Sequence, residues 1–356
     1  MSWKDTEAAV LQRLEARLSP ENWKWLRGAV NWEAGDLDEA STTEVRLWFN
    51  RPSNKNGIND TGLCRTWIWQ SWIKIQAGVV DPVNGNLRSY WYQTVEPFYN
   101  THSLWPEEEP QRGGDTFEDH LYEQVLGFIG DFVRHRVFFY RPEWQFQLPS
   151  DSRYIIGRDR AKFIFYTEKE GLWESHCVPM AEGGEDQLEL KITAFSTKGQ
   201  PPFVAVEHLA NELMNLPYPV ANPVILACSD FDPWGLRIAE QIDAKMRFFG
   251  FKSVTTYRLI TLDLFTPKNL KGAKDLSKMT ASRTDIQHWL DVTGGVHGEA
   301  KGIHCDVVNR SRREQLFKDI RLGIRRGDLA DRFPLVKPVP MEQLSPADEP
   351  IGRLYT

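Results

Sequence analysis

Cysteine is scarce and scattered: Cys64, Cys177, Cys228 and Cys305 are the only four in 356 residues, and no two form a C-x-x-C pair. That spacing argues against a disulfide framework or a structural zinc site, and for thiols kept reduced in the cytoplasm. Long apolar runs are missing too, none approaching the roughly 18–20 residues of a membrane span. The N-terminus, MSWKDTEAAVLQRLEARL, carries charge throughout and reads as an amphipathic helix, not a signal peptide. A cytoplasmic protein with no membrane partner is expected. The sequence contains no G-x-x-x-x-G-K-[ST], so the chain shows no P-loop for ATP, and it has no internal repeat. Net positive charge is also lacking, since 43 Lys and Arg face 49 Asp and Glu for a formal charge of −6. This excludes a coat of positive charge but not nucleic acid, because binding depends on where basic residues gather.

They do gather. NRSRREQLFKDIRLGIRR, residues 309–326, holds Arg310, Arg312, Arg313, Lys318, Arg321, Arg325 and Arg326 against Glu314 and Asp319. Arg153, Arg158, Arg160 and Lys162 form a second group. Each group alone also fits an ordinary solvated face.

The composition, 41 % hydrophobic and 26 % charged, is that of a globular α/β protein, and the length allows two domains. The first part reads as mainly helical. Leu11, Leu14 and Leu18 recur at helical spacing, and Ser19-Pro20-Glu21 marks a fresh start with Ser as N-cap. TWIWQSWIKIQ (66–76) follows, then the turn signal Asp81-Pro82-Val83-Asn84-Gly85 and a helical stretch over 86–95. Short helices closed by turn-rich segments suit a winged-helix-like DNA-binding domain over residues 1–150, although all-helical packing would look similar. FEDHLYEQVLGFIGDFV is helical in pattern, RVFFYRPEWQFQL follows, and Pro149-Ser150-Asp151-Ser152 is the expected boundary.

Over 151–356 the pattern alternates. Strand-like runs at 161–167, 188–195, 223–229 and 253–261 are separated by helical stretches at 202–215 and 236–249. Strongly apolar strands alternating with helices predict a parallel sheet covered by helices. The tail LVKPVPMEQLSPADEP is Pro-rich and reads as extended.

In such sheets ligands bind beyond the carboxyl ends of the strands. There PVILACS releases Asp230 and Asp232, followed by Pro233 and Gly235, and AKFIFYT releases Glu168. Two residues apart in extended chain, the two aspartates point the same way and repel, a layout tolerable when a cation sits between them. Acids from two strand ends make a Mg²⁺ site, since that ion takes a few carboxylates and keeps room for waters and phosphates. Two other readings stay open. Asp-x-Asp-Pro-x-Gly also serves as a polar turn with Asp as N-cap, and haloacid-dehalogenase-like phosphatases use D-x-D after a strand, which leaves Glu168 unexplained.

YTEKEGLWE together with SDFDPWG resembles the Toprim domain, more narrowly that of the topoisomerase VI A subunit and the related meiotic double-strand-break protein. A Lys-Gly loop, Ser196-Thr197-Lys198-Gly199-Gln200-Pro201, lies between the two motifs in the expected order. The resemblance covers about residues 155–265. It implies that Glu168, Asp230 and Asp232 bind Mg²⁺, that Lys198 contacts phosphate, and that the protein cleaves double-stranded DNA as a homodimer of composite sites. It further implies a tyrosine nucleophile in an R-x-x-Y-Y-like helix. Arg88-Ser89-Tyr90-Trp91-Tyr92 matches this, with Trp91 where the first tyrosine is usual, which makes Tyr92 the nucleophile and leaves Tyr90 as the other candidate. Helix geometry adds an independent check: Leu87, Trp91, Thr94 and Phe98 form one stripe, with Tyr90 at its edge, and Tyr92 faces away on the side of Arg88.

The leading expectation is therefore an Mg²⁺-dependent topoisomerase (an isomerase) of type IIB. It works either with a separate ATPase subunit or as a stand-alone relative of the mini-A kind. The alternatives are a Toprim nuclease that uses metal-activated water and a non-catalytic DNA-binding subunit. His297 and His304 read as surface or core histidines rather than ligands.

Overall fold

Ser19 and Pro20 begin a helix as their chemistry dictates: the Ser19 hydroxyl accepts from the Asn22 amide at 3.2 Å, and Pro20 takes the first turn. The computed structural model describes residues 2–80, 94–106, 117–137, 152–183, 190–197, 199–276 and 283–340. Two units divide it: the first holds the described chain up to residue 137 with Pro202–Val204, the second residues 152–201 and 205–340.

The first unit is built from α1 (Trp3–Arg17), α2 (Pro20–Ala29), α3 (Thr42–Trp48), α4 (Asp60–Gln76), α5 (Glu96–Thr101) and α6 (Phe117–Arg134). Its centre is α4, whose Leu63, Trp67, Ile68 and Trp72 are buried. Against it packs α6, which presents Leu121, Val125, Phe128 and Phe132 at helical spacing. Each such side chain contributes roughly 1.5–3 kcal/mol by burial. Arg65 of α4 pairs with Asp131 of α6 at 2.5 Å. Among the described residues of this unit the β structure is a single antiparallel bridge, Asn50 to Ile58. The Arg88-to-Tyr92 motif, Tyr90 included, lies outside the described residues, as do Pro149, Ser150 and Asp151 of the expected boundary.

The second unit is α/β. Its strands are β1 (Arg153–Ile155), β2 (Arg160–Thr167), β3 (Ile192–Ser196), β4 (Val224–Cys228), β5 (Thr255–Arg258), β6 (Lys274–Asp275), β7 (Lys301–Gly302) and β8 (Leu335–Val336). The helices are α7 (Val178–Glu182), α8 (Phe203–Met214), α9 (Pro233–Phe248), α10 (Pro267–Lys271), α11 (Arg283–Thr293), α12 (Arg310–Arg326) and α13 (Leu329–Arg332). Six strands form one sheet in the order β1-β3-β2-β4-β5-β8, while β6 and β7 form a separate hairpin. The four central strands are parallel and largely buried; β4 is wholly apolar, while β2 opens on Arg160 and Lys162 and β5 reads Thr-Thr-Tyr-Arg. The outer strands β1 and β8 run antiparallel, so the sheet is mixed where the sequence predicts a parallel one. Both outer strands are two or three residues long, too short to carry a periodicity.

The core joins Phe165, Leu226 and Tyr257 of the sheet to Leu316, Phe317 and Ile320 of α12. On β5, Thr256 donates to the buried Asp243 carboxylate of α9 at 2.8 Å. Among the described residues no helix is long and apolar enough to cross a membrane, and the four cysteines are all free and buried.

Candidate metal centre at the strand ends

Strands β2 and β4 are neighbours in register, with Thr167 opposite Cys228. The residues that follow them, Glu168 and Ser229-Asp230, therefore emerge side by side at the carboxyl edge. The Asp230 amide donates to Glu168 Oε1 at 3.0 Å, and the two residues are 5 % and 8 % exposed respectively. A buried polar contact of this kind fixes the spacing of the two strand ends.

The turn into α9 closes tightly. Asp232 is the N-cap, its Oδ1 accepting the Gly235 amide at 2.7 Å, and the Ser229 hydroxyl donates to the Gly235 carbonyl at 2.8 Å. A Cβ on Gly235 would lie 2.0 Å from the Asp230 carbonyl oxygen, so only glycine fits. Asp232 thus fulfils the capping reading of Asp-x-Asp-Pro-x-Gly, which occupies one of its two oxygens.

Between the aspartates Phe231 turns inward, packing on Phe265 and Trp289. Its backbone exchanges both hydrogen bonds with Ile303, at 2.9 and 3.0 Å. This bridge brings a third segment to the site, where Gly302 passes so close that a Cβ would stand 2.9 Å from Asp232 Cβ. His304 Nδ1 then lies 2.8 Å from Asp230 Oδ2, and the Cys305 amide donates to Asp230 Oδ1 at 2.8 Å. Arg313 of α12 holds the segment by donating to the Asp306 and Val308 carbonyls at 3.2 and 3.1 Å. His304, which the sequence reads as an ordinary core or surface histidine, is in direct contact with Asp230.

Lys169 completes the cluster. Its ammonium donates to Asp230 Oδ2 at 2.9 Å and lies 3.9 Å from both Glu168 Oε1 and Asp306 Oδ2. Burial and the neighbouring Asp230 charge push Glu168 up to about 7, with Lys169 opposing. Burial also raises Asp232 to about 6, against the Gly235 hydrogen bond. Burial works against ionisation of Asp230 as well, but the Lys169 ammonium and the Cys305 amide hold it below the usual carboxylate range. Lys169 itself is raised: burial disfavours its charge, and Glu168 and Asp230 outweigh that.

In kind these donors fit a hard divalent cation, being carboxylates beyond parallel strand ends that need positive charge to coexist. As they stand, no three His, Cys, Asp or Glu side chains among the described residues converge closely enough to hold an ion. The cluster is closed on Lys169 instead.

Lys198 lies outside the described residues, though its loop is anchored where Tyr166 Oη donates to the Gly199 carbonyl at 2.9 Å. Of the basic run on α12, Arg312 donates to the Asp263 and Phe265 carbonyls and Arg313 to those named above. Those two guanidinium groups brace the fold and are not free phosphate ligands. Arg310 pairs with the exposed Glu314 at 2.8 Å. Lys318, Arg325 and Arg326 are exposed.

Compared with protein-family models, curated proteins and solved structures, the chain matches none.

Proposed function

We propose that the chain is a Toprim-type, Mg²⁺-dependent DNA transesterase resembling the topoisomerase VI A subunit, acting on double-stranded DNA as a homodimer. One observation carries the reading. Adjacent parallel strands deliver Glu168 and Asp230 into hydrogen-bonded contact at the sheet's ligand-binding edge, with Asp232 beside them. The buried Glu168 carboxylate set beside the Asp230 charge is a costly arrangement that packing alone does not need.

In this reading Tyr92 Oη bonds to a backbone phosphorus while one phosphorus–oxygen bond to deoxyribose breaks. The phenol proton passes to water, and the departing sugar oxygen gains one. The number of phosphoester bonds is unchanged, so the break can be resealed. Arg88, four residues before Tyr92 in the sequence, steadies the phosphate. Glu168, Asp230 and Asp232 would hold Mg²⁺, which, when bound, stabilises negative charge on the phosphate. His304 and the Cys305 amide orient Asp230, and exposed α12 cations contact phosphates, giving salt-dependent binding.

The test is a covalent-capture assay with uniformly labelled supercoiled DNA, Mg²⁺ and a detergent quench. Label carried by the wild-type protein and lost in Tyr92→Phe supports transesterification. Cutting that survives Tyr92→Phe but not Asp230→Ala assigns the site to hydrolysis. Binding with no cutting by any form makes the chain a DNA-binding subunit.

A further inference from the structure

Arg258 is a buried charge with no answering one. Three lysines and arginines are buried among the described residues: Lys74, Lys245 and Arg258. Lys74 pairs with Asp36 and Asp38, and Lys245 donates to the Pro201 carbonyl and to Gln241 at 2.7 and 3.2 Å. Arg258, 7 % exposed, makes no ion pair, and its Nε and Nη1, both shut off from solvent, donate to nothing among the described residues. Its Cζ stands 5.5 Å from the Phe231 ring centroid, a cation–π contact that supplies no lone pair to an N–H group. We propose that Arg258 anchors a ligand site at the end of β5, apart from the acidic cluster, for a small oxyanion of the phosphate or carboxylate class.

A buried ion is normally paired, because leaving it unanswered is costly. Burial lowers Arg258 to about 10, so the group keeps its charge at neutral pH. The acids of the helix that covers it are committed elsewhere. Thr256 faces the same way from β5 and binds Asp243 of α9 at 2.8 Å, while the other Asp243 oxygen takes Arg247 at 2.6 Å. Glu240, three residues earlier on α9, is held by Arg237 at 3.2 Å and by His288 at 2.5 Å. Position points to a ligand. Arg258 is the last residue of β5, at the carboxyl edge where sheets of this kind bind theirs, and its partner across the ladder is the small Ala227. A guanidinium there presents a planar set of donors that matches an oxyanion.

Titrating the full chain with sodium phosphate tests this, in chelator so that no metal takes part, and at an ionic strength held constant with sodium chloride. The readouts are the thermal midpoint and the Nε–H magnetic resonance signal of Arg258 in isotope-labelled arginine, identified by its absence from Arg258→Lys. Phosphate is expected to shift that signal along a saturable curve and to raise the midpoint. Arg258→Gln should bind phosphate about tenfold more weakly or worse. A saturable shift with sodium acetate but not with phosphate supports the proposal and assigns the carboxylate class. A signal that neither anion moves overturns it, and leaves a guanidinium satisfied by water and the Phe231 ring. A midpoint gain that Arg258→Gln and Arg258→Lys both keep in full also overturns it, because the anion then sits on other cations, such as those exposed on α12. Where Arg258→Gln fails to fold by circular dichroism, Arg258→Lys takes its place, and the wild-type signal decides in either case.

Discussion

The backbone amide of Asp230 and the carboxylate of Glu168, 62 residues apart in sequence, meet at 3.0 Å across the ends of two parallel strands. The contact serves geometry at an electrostatic cost, because the carboxylate is buried beside a second one. Glu168→Gln keeps an oxygen for the Asp230 amide and removes the charge. In chelator at pH 8, the variant should be more stable than wild type by about 1–2 kcal/mol in urea denaturation, and it should neither bind Mg²⁺ nor cut DNA. A loss of stability would mean that the Glu168 charge is favourable where it stands.

Asp232 caps α9 and in the proposed site would also hold the metal, and substitution can separate the two roles. Asp232→Ala removes the cap from α9 and should cost about 1 kcal/mol, read as a lower thermal midpoint. Asp232→Asn keeps the cap and removes a charge that burial disfavours, so above about pH 6 it should melt no lower than wild type, and any loss of metal affinity in it belongs to the charge alone.

Gly235→Ala places a methyl group 2.0 Å from the Asp230 carbonyl oxygen. The turn must open, carrying Asp230 away from Glu168, His304 and Cys305. A destabilisation of about 2–4 kcal/mol is expected, together with lost Mg²⁺ binding. A variant that folds and binds normally would show that the tight turn is not what sets the acid geometry.

His135 gives the helical unit a pH dependence. It stacks on Trp25 with ring centroids 4.0 Å apart and contacts Asn22 Oδ1 at 2.9 Å through Nδ1. Burial, then the charges of Arg134 and Arg65, lower it to about 4. On acidification the unfolded chain, with an ordinary histidine near 6.5, takes up the proton first. Stability is therefore expected to fall as pH drops from about 6.5 to about 4, and to be unaffected by this group above that window. Denaturation of wild type and His135→Gln at pH 7.5 and 5.0 should show a smaller loss in the variant.

Much of the second unit is legible in sequence because its signals are local. The apolar runs at 161–167 and 223–229 become β2 and β4 nearly unchanged, and Asp232, Pro233 and Gly235 announce the start of α9. The periodic stretch FEDHLYEQVLGFIGDFV is α6. What escapes is long-range. His304, Cys305 and Asp306 reach the site through a two-residue bridge to Phe231, with no motif and no periodicity to mark them. The edge strands β1 and β8 are hidden for the same reason. The arginine-rich run illustrates the converse: its charges are plain in the sequence, but that Arg312 and Arg313 spend theirs on carbonyls depends on which loops α12 packs beside.

The pairing of Phe231 with Ile303 sets where this protein can be shortened. A fragment ending just after β5 would retain the Glu168 and Asp-x-Asp motifs intact. It would nevertheless strip Phe231 of Phe265, Trp289 and Ile303, and take from Asp230 the imidazole and amide that hold its carboxylate. The smallest piece that keeps this acidic cluster as built must therefore run on through α12, whose Arg313 clasps the turn after Cys305.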